Sequence, residues 1–273
     1  MNYRHSFHAG NFADLVKHAL VLWLLQERQA RGPVTVLDTH AGAGLYDLSG
    51  DAVRSKEAEA GVARLMTADN RPPLIEALAK EVAAFNPEGG VRFYPGSPLL
   101  IARALGERSH YRGFELNPPV KALLDEALKD YPRANGFEGD GYDLTRLAAT
   151  KLQAPLVLID PPFERGDDYI RSAETAASIV KRDPKAIVAI WTPLKDMETF
   201  DGFIRRLEEA KAPRVLVAEA RLRPLNNPMK MNGCTMTVVN APSGTDAAAA
   251  EICGWVAETL GEDKARAEIW RAS

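Results

Sequence analysis

The segment Asp160-Pro161-Pro162-Phe163 carries the strongest chemical signal in the sequence, because it directly follows the apolar run Leu156–Ile159. The two prolines restrict the backbone, so the Asp160 carboxylate and the Pro161 carbonyl can point into one pocket. These two acceptors suit the two N–H bonds of an exocyclic amine, and Phe163 offers a face to a planar ring. An amine held in this way directs its lone pair for in-line attack on a methyl donor. The alternative is a proline-rich turn with an exposed aspartate.

Three other segments carry groups suited to a nucleotide-like ligand, and the first two lie at the ends of predicted strands. The first, Asp38-Thr39-His40-Ala41-Gly42-Ala43-Gly44, lets backbone N–H groups approach a ligand, although it lacks the third glycine of a dinucleotide fingerprint. At the second, Glu115 could accept hydrogen bonds from both hydroxyls of a ribose. At the third, Asp140 stands between Gly139 and Gly141 and could accept from an adenine amino group. Each has a plain alternative: a tight strand–helix turn, a solvated acid at a helix start, and an Asx turn.

These groups meet only if a parallel sheet brings the carboxyl ends of its strands together. Short apolar, β-branched runs predict six strands, at Val34–Asp38, Tyr111–Glu115, Leu156–Asp160, Ala186–Trp191, Arg214–Glu219 and Thr235–Asn240. Helical patterns separate most of them, which predicts a doubly wound α/β sheet. The turn signal Asn232-Gly233 precedes the last strand and predicts an antiparallel hairpin at the end of a mostly parallel sheet.

One stretch, residues 49–91, departs from this alternation. Asp51–Ala68 and Pro72–Phe85 are each predicted to form a helix, the second with a single apolar stripe. We therefore expect a small helical insertion at 49–91, within a core formed by residues 1–48 and 92–273. No repeat or low-complexity linker marks a second independent domain.

Helices are predicted to flank this core at both ends of the sequence. Asn11 is expected to cap a helix with a broad apolar face. Asp14, Lys17 and His18 share another face of that helix through their i, i+3, i+4 spacing. An ordinary solvated helix face is the alternative explanation for these three residues. The tail from Asp246 to Trp270 is predicted to form one or two covering helices.

Composition limits the class of protein. The 273 residues carry 34 Lys+Arg and 37 Asp+Glu, a net charge of −3, with 46% hydrophobic and 26% charged residues, which is typical of globular proteins. This balance argues against a protein that coats nucleic acid through its overall charge. It is compatible with a local site that binds nucleic acid. The longest hydrophobic run, Ala19–Leu25, is far below the ~20 residues of a membrane span. With only Cys234 and Cys253, both expected to be core thiols, we predict a cytoplasmic, metal-free monomer.

The same motifs resemble a known family. Asp160-Pro161-Pro162-Phe163 is similar to the (D/N/S)PP(Y/F) motif of S-adenosylmethionine-dependent amino methyltransferases. The run Tyr3-Arg4-His5-Ser6-Phe7-His8-Ala9-Gly10-Asn11, with Lys17-His18, closely resembles the bacterial 23S rRNA adenine-N6 methyltransferases of the ribosomal large subunit methyltransferase J family. Asp38–Gly44 and Tyr94-Pro95-Gly96-Ser97-Pro98 follow in the order of that family. The resemblance covers essentially the whole chain.

The resemblance implies a Rossmann-like class I methyltransferase core with a helical insertion and S-adenosylmethionine as the cofactor. The residues that it implies at the cofactor are His18, His40, Gly42, Ser97, Glu115, Asp140, Gly141 and Asp160. The implied catalytic motif is Asp160, Pro161, Pro162 and Phe163, and the residues implied to meet the RNA are Tyr3, His5 and Lys17. His40 is assigned to cofactor contact because methylation of an adenine amine needs no dedicated base: the proton leaves to water after attack.

The implied reaction is methyl transfer to N6 of an adenosine in 23S rRNA that is protein-free or partly assembled, since the base must be unstacked and flipped. Phe163 departs from the tyrosine of the family and keeps the stacking face without the hydroxyl. The loop Arg221–Gly233 differs more; it carries Arg221, Arg223 and Lys230 and no acid, so we expect it beside the target base or as a solvated hairpin loop. The alternatives are a DNA or small-molecule amine methyltransferase, and a non-catalytic cofactor-binding ribosome-assembly protein.

Overall fold

The core of the fold is an eight-stranded sheet, and its strand order determines which strand ends lie next to each other. The computed structural model describes residues 8–49, 56–226 and 231–272. In these ranges the strands are β1 (Thr35–Asp38), β2 (Leu45–Asp47), β3 (Phe93–Pro95), β4 (His110–Glu115), β5 (Ala134–Glu138), β6 (Leu156–Ile159), β7 (Ile187–Leu194), β8 (Leu216–Arg221), β9 (Gly233–Val239) and β10 (Arg266–Arg271). Strands β2 and β3 form a separate antiparallel pair.

The order across the main sheet is β10-β8-β9-β7-β6-β1-β4-β5. Strand β1 pairs in parallel with both β4 and β6, so the connection direction reverses between β1 and β6. Ligands of doubly wound sheets bind at the carboxyl ends of the strands beside such a reversal. Asp38, the last residue of β1, pairs with Leu158 of β6, which brings the two strongest sequence motifs next to each other.

The antiparallel part of the sheet is larger than the predicted hairpin. Strand β9 is antiparallel to both β7 and β8 and lies between them. Strand β10 adds a further antiparallel pairing to β8. The predicted covering helices over Asp246–Trp270 are therefore wrong at their C-terminal end. The physical reason is the sheet edge: β8 presents unpaired backbone groups on its outer side, and β10 satisfies them.

Helices cover both faces of the sheet. In chain order they are α1 (Phe12–Gln29), α2 (Arg64–Thr67), α3 (Pro73–Ala84), α4 (Ser97–Ala104), α5 (Pro118–Leu128), α6 (Gly141–Ala149), α7 (Asp168–Arg182), α8 (Met197–Glu209) and α9 (Thr245–Leu260). Asn11 caps α1 as predicted, because its side chain accepts from the N–H groups of Ala13 and Asp14. Helices α3, α4 and α5 each have a proline in the first turn, where no N–H is needed.

The insertion shares its core with the rest of the molecule. Glu59–Ala63 forms a π-helical turn that runs into α2, and α3 matches the second predicted helix closely. The start of the first predicted helix, at Asp51, lies outside the described residues. The buried face of α3 belongs to the same apolar cluster as α1, α4 and α9, while α6, α7 and α8 pack on the opposite face of the sheet. The insertion is therefore held rigidly against α1.

Two minor expectations concern the cysteines and the membrane. Cys234 and Cys253 are both buried free thiols, as predicted. Within residues 8–49, 56–226 and 231–272, no helix combines the length and apolarity that a bilayer crossing requires.

Candidate active site

A cavity of about 700 Å³ lies at the carboxyl ends of β1 and β6. Its walls come from the start of α1, the insertion, and the ends of β7 and α9. The residues predicted from the sequence that line it are Lys17, His18, His40, Ser97, Asp160, Pro161 and Pro162. Its volume is within the range of roughly 300–1,000 Å³ that small-molecule sites occupy. Seven of the predicted residues thus meet around one space.

A chain of charges crosses the cavity wall at Lys17. Its Nζ donates to Asp160 Oδ2 at 2.6 Å and lies 2.7 Å from Asp14 Oδ1. Only 13% of the Asp160 side chain and 11% of the Lys17 side chain are exposed. The solvated helix face is therefore the wrong explanation for these residues. No described residue donates to Asp160 Oδ1, which leaves that oxygen available to a ligand.

Burial and charge compete in this cluster. Burial raises the pKa of Asp160, and the ammonium of Lys17 partly opposes it. Burial also opposes the charge of Lys17, but the two carboxylates outweigh it and raise the pKa of Lys17 well above its ordinary value. For Asp14, burial is outweighed by Lys17 and by the Gly10 N–H, and its pKa is lowered. Lys17 is therefore a fixed cation that favours the ionised form of Asp160.

A second buried carboxylate, Asp38, supports the floor of the cavity. Its Oδ2 accepts from Ser97 Oγ at 2.7 Å and from the Tyr111 hydroxyl at 3.0 Å. Burial raises the pKa of Asp38 to about 6, against the effect of these hydrogen bonds. Ser97 at the start of α4 is thus tied to the end of β1. The sequence singled out the loop that contains Asp38 but gave this residue no role.

Both predicted histidines line the cavity, and each ring lies within hydrogen-bond distance of a hydroxyl group. His18 Nδ1 lies 2.8 Å from the Tyr94 hydroxyl, and the two rings stack with centroids 5.6 Å apart. Burial lowers the pKa of His18 to about 3, with a further contribution from Lys17. His40 Nδ1 lies 2.7 Å from Thr39 Oγ1. At neutral pH His18 is uncharged and serves for shape and hydrogen bonding.

Glu115 and Gly42 lie beside the cavity and do not line it. The Gly42 N–H donates to Glu115 Oε2 at 3.1 Å, and the Asn117 N–H donates to Oε1 at 2.9 Å. Glu115 therefore joins the loop after β1 to the end of β4. This contact holds the glycine-containing loop against the end of β4.

Asp140 and Gly141 also lie outside the cavity lining. Asp140 caps α6 by accepting from the Tyr142 and Asp143 N–H groups, and Arg171 donates to both of its oxygens at 2.8 and 3.0 Å. Burial opposes the charge, but Arg171 and the cap hold the pKa of Asp140 below its ordinary value. At Gly141 a Cβ would stand 1.6 Å from the Thr39 carbonyl oxygen, so only glycine permits this approach. In the structure Asp140 binds the backbone N–H groups that follow it, which is the kind of contact expected from the Asx-turn alternative.

The aromatic wall of the cavity differs from the expectation. Phe163 has a φ of 51° and packs on Tyr169 and Trp191, with centroids 4.5 and 5.7 Å away. Trp191 lines the cavity and Phe163 does not. Trp191 was the last residue of the predicted strand Ala186–Trp191 and lies inside the observed β7, which continues to Leu194. The strand pattern carries no signal for which ligand site this side chain would face. Asp14 was also missed, although its spacing from Lys17 pointed to it.

The basic loop is less positive than its sequence indicates. Arg221 donates from Nε to Glu219, and Arg223 pairs with Glu262 at 2.8 Å. Lys230 lies outside the described residues, as do Tyr3 and His5. Two of the three positive charges expected from the sequence therefore have acidic partners. Arg223 nevertheless lines the cavity, together with Lys195.

Comparison with known proteins identifies the family of the chain. The sequence matches the family model described as "Ribosomal RNA large subunit methyltransferase D, RlmJ" over residues 31–272. Ribosomal RNA large subunit methyltransferase J of Escherichia coli (strain K12) is 35% identical over 247 residues, 89% of this chain and 88% of that protein. The protein of the same name from Haemophilus influenzae is 30% identical over 264 residues, covering 95% and 94% of the two chains.

A solved structure supports the fold. The crystal structure of a Legionella pneumophila protein has a TM-score of 0.88 and 23% sequence identity, covering 97% of this chain and 99% of that one. The alignments therefore include the N-terminal helix, the insertion and the antiparallel strands as well as the parallel core. With this coverage, and with a family match over residues 31–272, the chain belongs to the ribosomal RNA large subunit methyltransferase J family and is a methyltransferase with a Rossmann-like class I fold.

Proposed function

We propose that this enzyme transfers a methyl group from S-adenosylmethionine to N6 of an adenosine in 23S rRNA. The observation that carries the proposal is the position of Asp160: its carboxylate lies on the cavity wall next to Pro161, with one oxygen free of described donors. Two acceptors side by side match the two N–H bonds of an adenine amino group. The names of the curated relatives, ribosomal RNA large subunit methyltransferases, support RNA as the acceptor.

The chemistry of the site fits S-adenosylmethionine, which supplies an activated methyl group on a sulfonium. Carboxylates suit its cationic groups, and Asp160 places one of them on the cavity wall, while the buried Asp38 holds the lining residue Ser97. We assign cofactor contact to the lining residues His18, His40, Ser97 and Asp160, and to Gly42, Glu115, Asp140 and Gly141 at the adjoining strand ends. Because Arg171 occupies both oxygens of Asp140, we propose that Asp140 and Gly141 contribute mainly by fixing the start of α6.

The residues of this chain act by holding the amine. Asp160 and the Pro161 carbonyl accept its two N–H bonds, which directs the nitrogen lone pair at the methyl carbon. The new N–C bond forms as the C–S bond breaks, and the proton on nitrogen then leaves to water. Orientation of this kind contributes on the order of 7–11 kcal/mol to lowering a barrier. Lys17 keeps Asp160 in the acceptor form against the effect of its burial.

The target base needs an aromatic surface to stack on, and it must lie in RNA from which it can be unstacked. We propose that Phe163 stacks on the base, and that Trp191, which packs on Phe163 and already faces the cavity, completes this surface. Tyr3, His5 and Lys17 are proposed to contact the RNA. Since Lys17 is buried between two carboxylates, its contact is with the flipped nucleotide and not with an exposed phosphate. The base must leave its stack, so the substrate is protein-free or partly assembled rRNA.

The test is a methyl-transfer assay with tritium-labelled S-adenosylmethionine on three acceptors: unmodified 23S rRNA, double-stranded DNA and free adenosine. We expect label in the rRNA alone, recovered as N6-methyladenosine at a single position by mass spectrometry. Label in DNA or adenosine alone would favour the alternative of a DNA or small-molecule amine methyltransferase. Binding of S-adenosylmethionine without transfer to any of the three would favour an assembly protein. Asp201→Ala, at an exposed position of α8, serves as the matched control for Asp160→Ala.

A further inference from the structure

The helical insertion is connected to the catalytic motif by a continuous series of hydrogen bonds. In its π-helical turn, the Val62 N–H donates to the Gly10 carbonyl at 2.8 Å. The N–H of Gly10 in turn donates to Asp14 Oδ2 at 2.9 Å. Asp14 Oδ1 lies 2.7 Å from Lys17 Nζ, which donates to Asp160 Oδ2 at 2.6 Å. Gly10 thus carries contacts in both directions, outward to the insertion and inward to the buried charges.

The contact between the insertion and Gly10 leaves no free space. A Cβ on Gly61 would stand 2.2 Å from the Gly10 carbonyl oxygen and 2.8 Å from the Asn11 backbone. A Cβ on Gly10, whose φ is +76°, would stand 2.8 Å from Val62 Cγ1. Backbone therefore packs directly on backbone, and the two glycines are what allow it. An insertion that only covered the surface would not need so close an approach.

Glu57 reinforces the same junction from its other side. One carboxylate oxygen lies 2.9 Å from His8 Nδ1 and accepts from Asn11 Nδ2 at 3.1 Å. The segment that enters α1 is therefore held both by side chains and by backbone. It is also part of the cavity wall, since His8, Asn11 and Glu57 all line it. Displacement of the insertion would consequently move a wall of the active site.

We propose that the π-helical turn of the insertion positions Asp160 for methyl transfer, acting through Gly10, Asp14 and Lys17. The proposal rests on the role assigned to Asp160 under the proposed function. Single π-helical turns within helices are often found at functional sites. In this turn, the Val62 N–H donates to the Gly10 carbonyl and so fixes the residue whose own N–H, in the preceding peptide unit, donates to Asp14. Gly61, Gly10 and Asp14 are positioning residues in this account, because none of them needs to touch the adenine.

Gly61→Ala tests the outer part of the series, because the added methyl group forces the turn away from Gly10. We expect the kcat for 23S rRNA methylation to fall about 10- to 100-fold, the size of loss that follows a displacement near 1 Å. The Tm should also fall, because the added methyl group meets backbone at 2.2 Å, so kcat is compared at saturating S-adenosylmethionine and below the Tm of the variant. Gly202→Ala is the matched control, because nothing lies within 4 Å of that position in α8 and no change in kcat is expected. A Gly61→Ala kcat within twofold of wild type overturns the proposal.

Asp14→Asn tests whether the effect travels inward. If the insertion acts through Asp14, the double variant Gly61→Ala/Asp14→Asn should lose little more kcat than the worse single variant. Losses that multiply would show two independent effects and overturn the proposal. If Gly61→Ala does not fold, Glu57→Ala replaces it, because it loosens the same junction without adding a group; an unchanged kcat then overturns the proposal.

Wild-type protein and Asp160→Ala are run alongside to keep the two claims apart. If wild-type protein does not methylate rRNA, or Asp160→Ala remains active, the proposed function fails. If both behave as expected and Gly61→Ala is fully active, this inference alone fails.

Discussion

Asp160 and Asp140 both follow a strand of the same sheet, yet they occupy opposite environments. Asp160 follows β6 in a buried position, with Lys17 on one oxygen and a cavity in front of the other. Asp140 follows β5, caps α6 and is held on both oxygens by Arg171. The exposed fraction of the Asp140 side chain is 31%, against 13% for Asp160. One carboxylate is available to a ligand, and the other already has its partners.

An aspartate at the carboxyl end of a strand is therefore not a ligand-binding residue by its position alone. What separates the two aspartates is the next residue. Prolines follow Asp160 and supply no N–H groups for it to cap, whereas Gly141 and its successors start a helix whose N–H groups turn back to Asp140. An aspartate without a helix to cap keeps its acceptor capacity for another molecule. The predictions below test this distinction.

The largest effect is expected for Asp160→Asn. The amide keeps the shape of the side chain, but it replaces one acceptor by a donor and removes the charged partner of Lys17. The target amine therefore loses one of its two hydrogen-bond acceptors. We expect kcat to fall by about 10²–10³-fold, which is the scale of removing one preorganised hydrogen-bond partner from a reaction centre. Single-turnover methyl transfer to 23S rRNA measures it, with Asp201→Asn as control. Activity close to that of the control would place Asp160 in the same class as Asp140.

The next effect is a dependence of stability on pH that comes from Asp38. Its pKa in the folded protein, about 6, is above the ordinary 3.8 because the group is buried. The folded state therefore binds the proton more tightly, and the associated stability is present below pH 4 and is lost as the pH rises through 6. Since a pKa difference of one corresponds to about 1.4 kcal/mol, we expect a loss of about 3 kcal/mol between pH 4 and pH 7.

Asp38→Asn should remove that dependence, because the amide does not titrate. Urea unfolding at several pH values gives the measurement, and the comparison is between the slopes of the two proteins against pH. Equal slopes would show that Asp38 is ionised in the folded state across this range. It would then resemble Asp140, whose pKa is lowered by Arg171 and by the helix cap.

An intermediate effect is expected for Glu115→Gln. Its carboxylate accepts from the Gly42 and Asn117 N–H groups, and the proposed ribose contact adds to these. Glutamine retains one oxygen, so we expect S-adenosylmethionine to bind about tenfold more weakly, or about 1.4 kcal/mol. Isothermal titration with the cofactor measures this. If affinity is unchanged while the Tm falls, Glu115 is structural in the way that Asp140 is.

The smallest effect is expected for Asp140→Ala. It removes a helix cap and a partly exposed pair with Arg171, and caps are typically worth about 1 kcal/mol. We expect the free energy of unfolding to fall by about that amount, with kcat on 23S rRNA changed less than threefold. Asp140→Asn, which keeps an oxygen for the cap, should restore most of the stability. A loss of activity comparable to that of Asp160→Asn would contradict the distinction between the two aspartates.

The parallel core could be predicted because its strands carry continuous apolar runs. Strands β6 and β7 are buried on both faces and their residue types indicate this directly. Strand β5, with the sequence ANGFE, contains glycine and asparagine and was missed, because its pairing to β4 and not its propensity makes it a strand. The same holds for β10, whose partner β8 lies about fifty residues earlier in the sequence. Pairing across such distances leaves no local signal.

The residues that line the cavity were easier to predict from the sequence than the groups that they contact. The motif residues Ser97, His40 and Asp160 were recognised and do meet at one cavity, and the family assignment is confirmed by the family match and the curated relatives. Which group each would contact could not be read from the sequence. That Lys17 would be buried between two acids, or that Trp191 would face the cavity in front of Phe163, depends on how α1 lies across the sheet.

The position of β9 has a consequence for synthesis on the ribosome. Strand β8 precedes β9 in the chain, yet among the described strands its partners are β9 and β10, which are made later. The outer edge of β7 also waits for β9. A nascent chain that has emerged up to Arg221 therefore contains the five parallel strands β1, β4, β5, β6 and β7, but the outer edge of β7 is still unpaired and β8 has no partner. Because domains fold as the chain emerges, we expect protection of this half of the sheet to lag behind that of the Asp38–Asp160 half until Gly233–Val239 is available.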